Sequence, residues 1–263
     1  MWIQSTTSEL LERLRERIAS LERPADRGEQ SVVSTGCPAI DRVLPFEGVR
    51  RGSLTEWLSE RSGSGAESLA LLLTREACRD RGVVVLLDRQ REVYPPAVVA
   101  GGIDAERLIV VHPETEADEL WAADQALRSR AAGAVWLWRE RLRAHDFRRL
   151  RLAAECGGAV GVLLRPARVL GQATWADVQM LVRPRPGVGE RQLQVEVTRC
   201  RGHGDPQIVE VELDDVSGAL RAVGPHETLR VSVSPRLADS AASRRATGTE
   251  GPRRAALPPR RPG

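Results

Sequence analysis

Between Ser31 and Pro184, short and wholly apolar runs alternate with segments of helical periodicity, and this alternation constrains the fold more than any other feature. Val83 to Leu87 is an unbroken Val/Leu run that ends at Asp88. Ser53 to Leu58, Leu108 to Val111, Ala134 to Trp138 and Ala159 to Leu164 also read as strands. Glu67 to Arg81, Glu116 to Ala131 and Asp146 to Cys156 read as helices between them. Strands separated by helices of this length pair in parallel through right-handed crossovers. Strands with no polar face must be covered on both sides. The expected fold class is therefore α/β, with a mostly parallel central sheet and helices on both faces. Further on, Leu193, Val195 and Val197 alternate with polar residues, as do Val209, Val211 and Leu213, around a turn cluster from Arg201 to Pro206. That pattern predicts a C-terminal antiparallel hairpin that finishes the sheet. Asp214, Asp215 and Gly218 mark another turn before Leu220.

Four parts are expected along the chain: an amphipathic helix in 1–24, a linker in 25–30, the α/β domain in 31–232 and a disordered Arg/Pro-rich tail in 233–263. Leu10, Leu14, Ile18 and Leu21 share one face of the first part, which is either packed on the core or a detachable partner-binding element. From Pro235 onward seven Arg face only Asp239 and Glu250, a charge of +5. The formal net charge of the chain is +3, so the rest carries about −2 and the basic character belongs to the tail. A strongly basic DNA-binding domain is thereby disfavoured, although the tail can make weak, salt-sensitive, non-specific DNA contacts. No stretch is long and apolar enough to span a membrane, and no secretory signal is visible, so a cytoplasmic protein without membrane contact is expected. Cys37, Cys78, Cys156 and Cys200 are far apart in sequence and read as reduced, mostly buried thiols. His203 has no second ligand near it, and neither a metal nor a cofactor is expected. Trp136 and Trp138 flank Leu137 on a predicted strand and are expected to face opposite sides and pack in the core, as is Trp57.

The first strand and first helix are joined by Ser59-Glu60-Arg61-Ser62-Gly63-Ser64-Gly65-Ala66-Glu67-Ser68, the architecture of a P-loop. In a working loop of the form G-x-x-x-x-G-K-[ST], backbone N–H groups wrap the phosphates, Lys reaches the β/γ oxygens and Ser/Thr holds Mg²⁺. With Gly65 as the second glycine, Glu60 takes the first, Ala66 the Lys position and Glu67 the Mg²⁺-ligand position. No other register supplies the cation, because every one of the 39 basic residues is Arg and the chain has no Lys. The acid that should end a second apolar strand is also missing: Ala134 to Trp138 runs into Arg139. Asp88 follows a better apolar run, but that run comes directly after the loop's helix.

The segment Val33-Ser34-Thr35-Gly36-Cys37-Pro38-Ala39-Ile40-Asp41-Arg42-Val43-Leu44, with Gly48 and then Arg51-Gly52-Ser53-Leu54-Thr55-Glu56, resembles the RecA run that leads into its P-loop. Leu87-Asp88-Arg89-Gln90, Pro95, Gly101-Gly102-Ile103-Asp104 and Val111-His112-Pro113-Glu114-Thr115 resemble RecA's next units. In that alignment Gln90 falls where RecA carries its catalytic Glu, and Leu163-Leu164-Arg165-Pro166 replaces the run holding RecA's sensor Gln and the start of a DNA-binding loop. The resemblance covers about Ser31 to Arg221 and implies a degenerate RecA-like core. With Arg199-Cys200-Arg201-Gly202 and Asp214 to Arg221, the chain is most similar to the ImuA family. That resemblance implies a non-enzymatic accessory role in SOS-type, damage-induced mutagenic translesion synthesis. It implies an ImuB-like Y-family polymerase homologue as partner, with RecA and an error-prone DnaE-type polymerase as further candidates, and self-association through the N-terminal segment as an option. Two competing readings are a RecA/KaiC-type ATPase using Arg61 and Asp88 in an unorthodox site, and a division inhibitor resembling SulA.

Overall fold

The computed structural model describes residues 31–61, 63–80, 82–186, 191–201, 206–213, 220–222 and 229–230. Leu10, Leu14, Ile18 and Leu21, Ser62 of the loop, the turns at 202–205 and 214–219, and the Arg-rich tail lie outside the described residues.

Leu54–Ser59 forms β3, the strand that carries the loop, with β7 (Val160–Pro166) on one side and β8 (Val178–Arg185) on the other, both parallel to it. Outward from β7 come β6 (Ala132–Trp138), β4 (Val83–Leu87) and the edge strand β5 (Leu108–Val111), all parallel. Outward from β8 come β9 (Arg191–Cys200), β10 (Gln207–Leu213) and β11 (Leu220–Ala222), all antiparallel. β12 (Leu229–Arg230) also pairs with β10. Two short strands, β1 (Val32–Val33) and β2 (Val49–Arg50), form a separate ribbon around α1 (Pro38–Asp41). Asp41 ties this entrance together, accepting hydrogen bonds from the Thr35 backbone and hydroxyl and from the Ser34 hydroxyl. The architecture is a mostly parallel α/β sheet with an antiparallel C-terminal extension.

The remaining helices are α2 (Ala66–Ala77), α3 (Pro95–Ala100), α4 (Glu116–Arg128) and α5 (Ala144–Gly157). Leu69, Ala70, Leu73 and Ala77 of α2 bury one face of the sheet against Trp57, Val84, Leu86 and Val162. Ala123 and Leu127 of α4 and Phe147, Leu150 and Ala154 of α5 bury the other against Leu54, Val85, Val135 and Leu163. No helix among the described residues is long and apolar enough to cross a membrane.

Three differences from the sequence reading have physical causes. First, α2 stops at Ala77 rather than Arg81 and α4 at Arg128 rather than Ala131. The last carbonyls of α2 and the residue after it are taken by arginines from elsewhere, Arg51 on Ala77 at 2.9 Å and Arg107 on Cys78 at 3.1 Å. Second, β8 went unread, because the chain from Ala167 to Asp177 returns to start a parallel strand with only a 3₁₀ turn and no α-helix. Third, Trp136 and Trp138 do not face opposite sides. Residues two apart on a strand share a face, and their ring centroids lie 5.3 Å apart. Trp136 is buried and donates from its indole to the Thr74 hydroxyl at 2.7 Å; Trp57 is buried too.

Candidate functional site

The C-terminal ends of β3, β4, β6 and β7 open into a cleft of about 740 Å³. Its wall includes Glu60, Arg61, Gly63, Gly65, Glu67 and Ser68 of the loop, Asp88 and Gln90 after β4, and Arg139 after β6. The fold thus brings the loop residues and the three acid-position residues together at one place. Ser64 is buried in the loop, and Ala66 is fully buried as the first residue of α2. Gly65 caps that helix with φ +101°, so the backbone turns where a P-loop would turn into its helix.

Shape and chemistry then part. Ala66 offers only a methyl group where a phosphate-binding ammonium belongs, and Glu67 adds a carboxylate in the first helical turn. At the end of β6, where a Mg²⁺-holding carboxylate would sit, Arg139 is already engaged. It donates to Glu119 at 2.6 Å, to Glu116 at 2.5 Å and to the Arg141 carbonyl at 3.0 Å. Burial pushes the Glu119 carboxyl above its ordinary range, against the opposing pull of Arg139 and Arg89. Asp88 is also occupied. Its two carboxylate oxygens accept the backbone N–H groups of Glu92 and Val93 at 2.9 and 3.0 Å, closing the turn that leaves β4. The Asp88 carbonyl lies 2.8 Å from His112 Nδ1, and a carbonyl only accepts, so that nitrogen carries the proton. Gln90 is exposed on the cleft wall.

The loop is also held from the antiparallel side of the sheet. Arg183 of β8 donates to Glu60 at 3.0 Å, and Arg191 of β9 donates to the Gly63 carbonyl. Leu193 of β9 lies where a Cβ on Gly65 would be, 2.6 Å away. Beneath the cleft, Arg165 of β7 pairs with the fully buried Glu56 of β3 and with the Glu140 carbonyl. Glu56 also accepts from Gln179 at 2.6 Å, and Gln179 accepts from Thr198 at 2.8 Å. At the rim Arg168 clamps Glu140, and this hydrogen-bonded pairing holds the Glu140 carboxyl below its usual range.

The pairings made by Glu119, Glu56, Arg165, Arg183 and Arg191 escaped the sequence reading. A charge inside an apolar strand run was the available signal for Glu56 and Arg165, since such a residue must find a buried partner. Among the described residues the cleft is lined by six arginines and six acids. It therefore offers no large positive field to attract a triphosphate. No group of three or more His, Cys, Asp or Glu among the described residues could hold a metal ion.

Comparisons with known proteins agree with this architecture. No protein-family model matches the chain. Protein RecA of Rubrobacter xylanophilus is 36% identical over 118 residues, 44% of this chain and 34% of that protein. Protein RecA of Clostridium acetobutylicum is 32% identical over 113 residues, 41% of this chain and 32% of that protein. The chain thus spans about a third of the length of these RecA relatives, consistent with a shared RecA-like core. Protein ImuA of Caulobacter vibrioides is 30% identical over 193 residues, covering 65% of this chain and 79% of that protein. With the degraded loop and the RecA-like sheet, that coverage shows that the chain belongs to the ImuA family.

Proposed function

We propose that this protein is a non-catalytic, RecA-like accessory factor of damage-induced translesion DNA synthesis. It works by protein contacts, with an ImuB-like Y-family polymerase homologue as its main partner. RecA and an error-prone DnaE-type polymerase belong to the same assembly in this reading, and the N-terminal segment is the contacting element. It needs no nucleotide, no metal and no membrane.

One observation carries the non-catalytic reading: the cleft has its charges exchanged. A methyl group and a carboxylate, Ala66 and Glu67, stand where cations should meet phosphate, and a guanidinium, Arg139, stands where an acid should hold Mg²⁺. Phosphoryl transfer depends on positioning plus stabilisation of developing negative charge, and this arrangement opposes both.

The test has two arms. Purified protein with Mg²⁺ and ATP is expected to give neither saturable binding nor phosphate release. Turnover that disappears in Arg61→Ala or Asp88→Asn would establish the ATPase reading instead. In the second arm, the full chain is expected to co-purify with the ImuB-like protein after DNA damage, and removal of residues 1–22 is expected to weaken that association. Equal capture by the shortened chain would discard the N-terminal segment as the contact.

A further inference from the structure

The connection from Ala167 to Asp177 runs back between the parallel strands β7 and β8 without an α-helix to bury what it carries. Trp175 lies near its end and stays 41% exposed although Thr174 and Ala176 on either side are buried. The guanidinium of Arg148 on α5 stands 5.7 Å from the centre of its ring. One turn further along α5, Leu152 is 47% exposed. The helix and the connection are fastened again beside this contact, where Arg151 Nε bonds Asp177 at 3.1 Å. Two attachments fix the indole in place, so its exposure is a property of the fold rather than of a loose loop.

The charge around this apolar patch is unbalanced. The Trp175 ring is the one partner of the Arg148 side chain among the described residues. Arg141 and Arg143 are exposed just before α5, and Arg141 lies near enough to Glu140 to help hold its carboxyl down. Arg143 begins α5 and lies five residues before Arg148, roughly 7 Å of helical rise. Arg201 approaches Asp177 at 3.6 Å, but Asp177 is already shared with Arg151. In the cleft, by contrast, arginines and acids occur in equal numbers. Residues 141–157 carry five arginines against two acids, Asp146 and Glu155, and exposed bulky apolar groups on so basic a stretch are the complement of an acidic segment with bulky apolar side chains.

We propose that Trp175, Leu152 and Arg148, with Arg141 and Arg143 beyond them, form a docking surface for an acidic, apolar-anchored segment of a partner protein. The anchor side chain packs on the indole and Leu152, and the partner's carboxylates meet the arginines. Single-stranded DNA fits less well. Stacked bases need a basic track along a backbone, whereas here a single guanidinium, that of Arg148, stands over a single ring.

The test uses the full chain and a fluorescein-labelled peptide of about fifteen residues made of Asp, Glu, Leu and Phe, long enough to lie across such a patch. The same peptide with Lys for every acid, and an oligothymidylate, are the comparison probes. Fluorescence anisotropy is expected to show saturable binding of the acidic peptide that weakens with salt and is absent for the Lys peptide. Trp175→Ala and the charge reversal Arg148→Glu at an exposed position are each expected to weaken it by about tenfold, as for a central interface residue. Absence of saturable binding, or binding indifferent to both variants, overturns the proposal. Oligothymidylate binding that is lost in Trp175→Ala overturns it in favour of a nucleic-acid surface.

Discussion

Arg139 donates from Nη1 to Oε2 of Glu119 across 2.6 Å, joining the end of the central strand β6 to the buried side of α4. Arg139→Ala leaves Glu119, only 2% exposed, without its principal partner, since Arg89 approaches no closer than 3.8 Å. Breaking a buried pair from one side costs about 3–5 kcal/mol, and urea unfolding at neutral pH is expected to show a loss of that order. Burial already raises the Glu119 carboxyl. The deficit should therefore shrink as the medium is acidified, because the protonated acid no longer needs a counter-charge. The double variant Arg139→Ala/Glu119→Leu is expected to recover most of the loss; a deficit that persists undiminished would show the pair is not its source.

Gly65 is a second point where one substitution should be felt. Its φ of +101° is costly for a residue with a side chain, by roughly 1–2 kcal/mol. A Cβ there would also meet Leu193 at 2.6 Å. Gly65→Ala is expected to lower stability by more than the backbone strain alone, with Leu193→Ala in the same chain relieving the steric part and not the strain. Chemical denaturation of the two variants separates the contributions; a neutral Gly65→Ala would contradict the geometry.

Cys78 gives the alkaline limb of the stability profile a defined shape. Burial is the leading cause that pushes its thiol from 9.0 up to about 11. The unfolded thiol ionises first as pH rises, so the unfolded state holds fewer protons between about pH 9 and 11 and stability falls across that window. Below pH 9 both states are protonated and the group contributes no slope. A shift of about two units corresponds to roughly 2–3 kcal/mol by pH 11. Cys78→Ala is expected to flatten that fall, read by denaturant midpoints at pH 8, 9, 10 and 11 (about one unit apart, to resolve the slope).

Thiol accessibility supplies an independent check of the α5 surface. Cys156 is exposed, whereas Cys37 and Cys78 are buried. Alkylation of the native chain followed by peptide mapping is expected to mark Cys156 first and Cys37 and Cys78 only after unfolding. Early modification of Cys37 would contradict the packing around α1.

The parallel half of the fold was legible because its signals are local. Val83–Leu87 and Leu108–Val111 have the bounds that the apolar runs predicted, and the loop with its helix followed from a glycine-rich turn before a leucine-rich face. β8 was not legible, although Val178, Met180, Leu181 and Val182 make an apolar run. Parallel neighbours are ordinarily joined by a helical crossover, and the chain from Ala167 to Asp177 does without one. The end of α2 slipped because its last carbonyls are taken by Arg51 and Arg107, far away in sequence. The cleft's pairings were out of reach for the same reason: Arg165 and Glu56 are separated by 109 positions and Arg139 and Glu119 by 20. Residue types along a chain can announce that a buried charge needs a partner without saying which one.

The grip of Arg183 and Arg191 on the loop between β3 and α2 changes what that loop depends on. Two guanidiniums from neighbouring strands grasp it from outside, so its form is inherited from the sheet. Exposed side chains on the cleft wall such as Gln90 are then nearly free to change, while substitutions at Glu60, Arg183 or Arg191 would let the loop sag.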